Sequence, residues 1–166
     1  VKAYLTAVSK GDAKTALGYI GSVPDKKLLT DAVLEESGKL GAISKISVKE
    51  SGQSTYSGTV QATFSVGDRT VSTTYRLYKL EDEWKVTNGV TPISLRRLSG
   101  IDATVNGVST SDLTNSYVFP GTYQITLDSK YFSIDGDAYL TIAASDDASA
   151  LDTVKAKLND TGVTEY

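Results

Sequence analysis

"TVQATFSVGDRTVSTTYRLYKL", residues 59–80, decides the fold. Val60, Ala62, Phe64 and Val66 fall on one side of an extended chain, and Thr59, Gln61, Thr63 and Ser65 on the other. That period of two predicts a half-buried strand. Gly67-Asp68 breaks the run as a turn, and Val71, Thr73, Tyr75 and Leu77 then resume the alternation, which predicts an antiparallel partner. "EDEWKVTNGV", 81–90, predicts a third strand with Trp84 and Val86 inward, after a solvated turn at 81–84. Upstream, "ISKISVKESG", 43–52, sets Ile46 and Val48 against Lys45, Ser47 and Lys49.

Before residue 42 the period is helical. Val1, Tyr4, Leu5 and Val8 make one stripe, stopped by Lys10-Gly11. Asp12 is placed to cap a second helix, "AKTALGYI". After a break at Gly21–Pro24, Asp25 is placed to cap a third helix carrying Leu28, Leu29, Ala32 and Val33, which Gly38 and Gly41 end. Helices followed by an antiparallel meander define an α+β layer.

"TPISLRRLSG", 91–100, breaks the pattern and reads as a junction, dividing the chain into an α+β domain at 1–92 and a second module at 93–166. Short strands are expected at 101–105, 116–119, 122–128, 131–134 and 138–144, with turns at Asn106-Gly107, Pro120-Gly121 and Asp135-Gly136. This is a small, mostly β, sandwich-like module. "DDASALDTVKAKLND", 146–160, reads as a closing helix capped by Asp146 or Asp147, with Leu151, Val154 and Leu158 as its stripe. Within "VFPGTY" the Pro-Gly pair predicts a type II turn, with Phe119 and Tyr123 packed rather than displayed.

Composition narrows the chemistry. The 166 residues carry a formal net charge of −3, so nothing favours nucleic acid as a partner. The chain has no His and no Cys, which excludes imidazole general bases, Ser-His-Asp triads, thiol nucleophiles, disulfides and thiolate zinc sites built from this chain. No apolar run approaches the ~20 residues that cross a bilayer. The chain starts at Val1 inside a helical pattern and lacks Met, so a fragment of a longer product is expected, with any membrane anchor outside it.

"VKAYLTAVSKGDAKTAL" and "YRLYKLEDEWKVTNG" resemble the helix–Gly-Asp-Ala–helix entry and the Trp-containing closing strands of nuclear transport factor two-like domains. The resemblance covers about residues 1–90 and implies a cystatin-like cone, a curved antiparallel sheet wrapped around helices. That fold hosts isomerases, dehydratases, transport factors and inert modules alike. "ATVNGV" and "VFPGTYQIT" are similar to a β-module found beside such cones in TcaA-like and zinc-ribbon-tethered, membrane-anchored envelope proteins of Gram-positive bacteria. This implies an extracytoplasmic location, on the cell surface of an anchored protein.

Enzymes on this cone place an Asp, a His or a Tyr in the pocket. The inward sheet face as read here holds no carboxylate, and only Tyr75 is ionisable. Asp31, three residues after Leu28, is the nearest carboxylate, read as an inward candidate or a solvated helix flank. Tyr4, Tyr19, Tyr56, Tyr75, Tyr78 and Trp84 are candidates to line an apolar pocket, against the plainer reading of core packing. Asp135-Gly136-Asp137 lacks the further ligands of a calcium loop and is an ordinary hairpin turn, so no metal and no cofactor is assigned. Arg96-Arg97 would contact an anionic wall polymer or simply face water.

Together these readings favour a non-catalytic binding or spacer region of an anchored envelope protein. Its partner would be a protein, a cell-wall polymer or a small apolar ligand. The alternatives are a small-molecule-binding or isomerase-like cone and a module that pairs a partner through an exposed sheet edge. Such cones often form homodimers through their sheets, but the polar row Thr59, Gln61, Thr63 and Ser65 argues against a dry dimer face.

Overall fold

The computed structural model describes residues 1–93, 96–110, 116–135, 138–144 and 155–165. Three helices, α1 (Lys2–Ser9), α2 (Ala13–Gly18) and α3 (Asp31–Leu40), precede a four-stranded antiparallel sheet. The sheet runs β1 (Ile43–Gln53), β2 (Ser57–Val66), β3 (Arg69–Leu80), β4 (Glu83–Val86) in spatial as in chain order. The molecule is α+β, as the change of period predicts.

Local chemistry accounts for most boundaries. Gly11 takes a left-handed φ of 74° and ends α1. The Asp12 carboxylate accepts from the Thr15 N–H at 2.9 Å and caps α2. The third helix starts later than the spacing predicts. Thr30, not Asp25, caps it by accepting from the Val33 N–H at 3.3 Å. Asp25 instead accepts from the Lys27 N–H at 2.9 Å, a local turn that keeps 25–28 out of the helix. Gly38 does not end α3; it lies inside it, and Gly41 is the C-cap.

The β2–β3 hairpin has the register Val66↔Arg69, with Gly67 at φ 59° in its two-residue loop. Between β3 and β4 the loop is Glu81-Asp82, and both residues take left-handed φ, 49° and 66°. β1 carries two register shifts, one between Ser44 and Ser47 and one between Glu50 and Gly52. The first lets Ile43 and Ile46, three residues apart, both pack on the core.

The second part is built from short strands. β5 (Thr91–Ile93) pairs with β8 (Ser116–Val118), and a four-stranded sheet runs β11 (Tyr139–Ile142), β9 (Gly121–Asp128), β6 (Asp102–Val105), β7 (Val108–Ser109). β10 (Phe132–Asp135) pairs with β12 (Lys155–Leu158), and a C-terminal helix α4 spans Asp160–Glu165. Asn106 and Gly107, φ 47° and 82°, make the tight β6–β7 turn that the Asn-Gly pair predicts.

Two expectations for this part change. The closing helix is present but short and late. Residues 155–158, read as helical, are strand β12, and Leu158 is 39% exposed rather than in a stripe. Asp146, Asp147, Leu151 and Val154 lie outside the described residues, as does Gly136 of the expected Asp135-Gly136 turn. The Pro120-Gly121 corner is also no hairpin, because β8 pairs with β5 and β9 with β6 and β11. Gly121 has φ 154°, away from a type II turn. Its missing Cβ makes room for the Ser37 side chain of α3, whose hydroxyl accepts from the Thr122 N–H at 3.0 Å.

Two apolar cores result, and α3 feeds both. Leu34 joins the first, with α1, α2 and the inner face of β2 and β3; Val33 joins the second, with β6, β9 and β11. Phe119, Ala143 and Ala144, from after residue 93, pack in the first core; Leu28, from before it, packs in the second.

Candidate functional site

The interior between helices and sheet is aromatic and closed. Tyr4 of α1 and Tyr75 of β3 are both fully buried and meet edge to face, with ring centres 6.2 Å apart at 74°. Phe119 reaches Tyr4 from the other part of the chain, at 6.4 Å and 51°. Each phenol is satisfied by a backbone carbonyl: the Tyr4 hydroxyl donates to Gly89 at 2.6 Å and that of Tyr75 to Ala143 at 2.5 Å. A side chain at 89 would collide with the Tyr4 hydroxyl at 3.0 Å and with Ile20 at 2.9 Å, so glycine is needed there. Burial, with Tyr75 and Tyr123 adding to it, pushes the Tyr4 phenol well above its ordinary pKa.

The other predicted residues go elsewhere. Asp31 is exposed on the first turn of α3, and its carboxylate accepts from the Ala13 N–H at 2.8 Å, tying α3 to the start of α2. It does not face the Tyr4–Tyr75 interior. Tyr19 follows α2 and is 37% exposed, while its backbone carbonyl accepts from the Val86 N–H at 2.8 Å. Tyr4 and Tyr75 are thus brought together as core, and Tyr19, Asp31 and Trp84 join neither them nor one another.

Trp84 instead lines a separate open cleft of about 240 Å³ at the β1–β2 hairpin end of the sheet. The register builds it. Trp84 pairs with Lys79, Leu77 with both Gly58 and Val86, and Val60 with both Tyr75 and Glu50. Val60, Leu77, Trp84 and Glu50 therefore share the helix-facing side of the sheet. Gly52, Gln53, Gly58, Thr59 and Val1 complete the lining. A Cβ on Gly58 would stand 3.3 Å from the Gly52 carbonyl and 3.9 Å from Trp84, so the bare Gly58 lets β1 and the indole both pack closely against β2.

Glu50 corrects the expectation that this face carries no carboxylate. The signal was present in the sequence: Ile46, Val48 and Glu50 continue one alternation, which the sequence reading ended at Val48. Among the described residues the Glu50 carboxylate has no ion-pair or hydrogen-bond partner. The Thr59 hydroxyl accepts from Ser51 at 2.8 Å, and Lys79 is held 3.4 Å from Asp82. The cleft thus offers an indole, an apolar floor, one free carboxylate and the Gln53 amide.

A second groove, of about 500 Å³, runs beside Tyr78 and Tyr117 and has no charged lining residue. Among the described residues no three carboxylates converge as a metal would require. No helix among them is long and apolar enough to cross a membrane.

No family model and no curated protein matches the chain. Among solved structures it is similar to one from Campylobacter jejuni described as an NTF2-like transpeptidase. The likeness covers 52% of this chain and 92% of that one, at 19% identity and a TM-score of 0.39, and carries no functional assignment.

Proposed function

We propose that this chain is a non-catalytic binding region of a membrane-anchored bacterial envelope protein, exposed outside the cytoplasmic membrane, and that the Trp84 cleft holds its ligand. The observation that carries the reading is the division between a closed interior and an open cleft. The interior phenols of Tyr4 and Tyr75 are donated to backbone carbonyls, which leaves neither free for acid–base work. Trp84, by contrast, is only partly buried, beside an unpaired carboxylate. The isomerase-like alternative requires Asp31 or Tyr75 in a pocket, and neither lines this cleft. Envelope placement is supported by the likeness of "ATVNGV" and "VFPGTYQIT" to modules of anchored surface proteins.

Two experiments test the reading. Trp84 is the single tryptophan, so its emission reports directly on the cleft. A fragment screen followed by that emission should give saturable hits that lose affinity in Leu77→Ala; a blank screen contradicts a ligand site here. Protease added to intact cells should degrade the native full-length protein, whereas protection until the membrane is permeabilised would overturn the envelope placement.

A further inference from the structure

Resting on the reading that the Trp84 cleft holds the ligand, we infer that this ligand is an organic cation, an alkylammonium group seated on the indole with the Glu50 carboxylate as its counter-charge. Among the described residues Glu50 is the one charged side chain lining the cleft, and it has no ion-pair partner. Lys79, across the register from Trp84 on the same face of the sheet, does not line the cleft. An indole attracts a cation to its ring face, and tryptophan does so best among the aromatic side chains.

Charge complementarity decides between ligand classes. A neutral apolar ligand filling the cleft would strip water from the Glu50 carboxylate and give nothing in return. An anion would meet that carboxylate directly. A cation satisfies indole and carboxylate together, and the apolar floor of Val60 and Leu77 suits its alkyl groups. At about 240 Å³ the cleft is smaller than the ~300 Å³ at which pockets for drug-sized ligands begin, which matches a compact ammonium head.

The test is a titration with choline and its uncharged isostere 3,3-dimethylbutan-1-ol, read by Trp84 emission and by calorimetry. Choline should saturate the site, with the alcohol at least about tenfold weaker. Glu50→Gln should weaken choline by about tenfold and should not weaken the alcohol, whose binding no longer desolvates a carboxylate. Running Nα-acetyl-lysine amide beside choline separates a peptide ammonium from a quaternary head group, and saturation by either supports the inference. Equal binding of choline and the alcohol, or indifference to Glu50→Gln, overturns the cation while leaving a ligand site in place. Glu50 is exposed, so its substitution does not threaten folding. Should neither compound bind while the fragment screen gives hits, the cation again falls and the ligand site stands; a blank fragment screen removes the site itself.

Discussion

Removing one oxygen atom from Tyr4 would leave the Gly89 carbonyl without its donor in a dry interior. Tyr4→Phe and Tyr75→Phe are each expected to cost about 1–3 kcal/mol, the penalty for a buried acceptor left unpaired. Urea unfolding checks this, and a loss near zero for both would mean that water satisfies the carbonyls and the interior is not closed. The opposite sign is expected at Asp82. It holds φ 66° in the β3–β4 turn with no glycine to ease it. Asp82→Gly should stabilise the fold by about 1 kcal/mol by relieving left-handed strain. The lost contact to Lys79 offsets little of this, because the Asp82 side chain is 98% exposed. Sequence alone reads Tyr4 and Tyr75 as aromatic and inward but cannot say whether their hydroxyls face a cavity or a carbonyl. The partners, Gly89 and Ala143, lie 85 and 68 residues away.

At the level of single elements, α2 depends on its cap. The Asp12 carboxyl is held below its ordinary 3.8, first by the hydrogen bond from the Thr15 hydroxyl and then by that from its N–H. A carboxyl depressed in the fold contributes stability that is present above 3.8 and is lost as the pH falls through the lower folded value. The stability gap between the wild type and Asp12→Ala should therefore be open near about pH 6 and should narrow as the pH falls below 3.8, read from urea midpoints. A gap unchanged in acid would show that the carboxylate is not the cap. The strands were legible because a half-buried sheet imposes period two, which residues 59–66 and 71–77 follow; the inward Lys79 and the exposed Leu80 break it at the end of β3. The bulges were not, since Lys45 at φ 53° announces itself by no residue type. The end of the chain satisfied two templates. Val154, Ala156 and Leu158 alternate with lysines as a strand does, while Leu151, Val154 and Leu158 also suit a helix. Only the pairing of β12 with β10 chooses for 155–158.

Across the whole molecule, the two cores share residues in both directions. Phe119 crosses into the first, and its loss would open a cavity against Tyr4. Phe119→Ala should cost about 3–5 kcal/mol. It should also move Trp84 emission and tyrosine near-ultraviolet dichroism to the same lower midpoint, because unfolding is one cooperative event. Separate midpoints would show two independent modules. The candidate site was half legible. Trp84 stood out as a lone indole on an inward strand position. Glu50 was hidden behind the assumption that the inward face ends where its apolar residues do. The cleft itself exists only once the sheet register brings Glu50, Gly58, Leu77 and Trp84 together.

The account rests on the claim that ligand goes to the Trp84 cleft and not to the interior between helices and sheet. Amide chemical-shift mapping with a hit from the fragment screen tests it most directly. The predicted result is a contiguous set of perturbed amides at Glu50, Gly58, Val60, Leu77 and Trp84, with Tyr4, Tyr75 and Phe119 unmoved. Perturbation centred on Tyr4, Tyr75 and Phe119, with Trp84 silent, would contradict it.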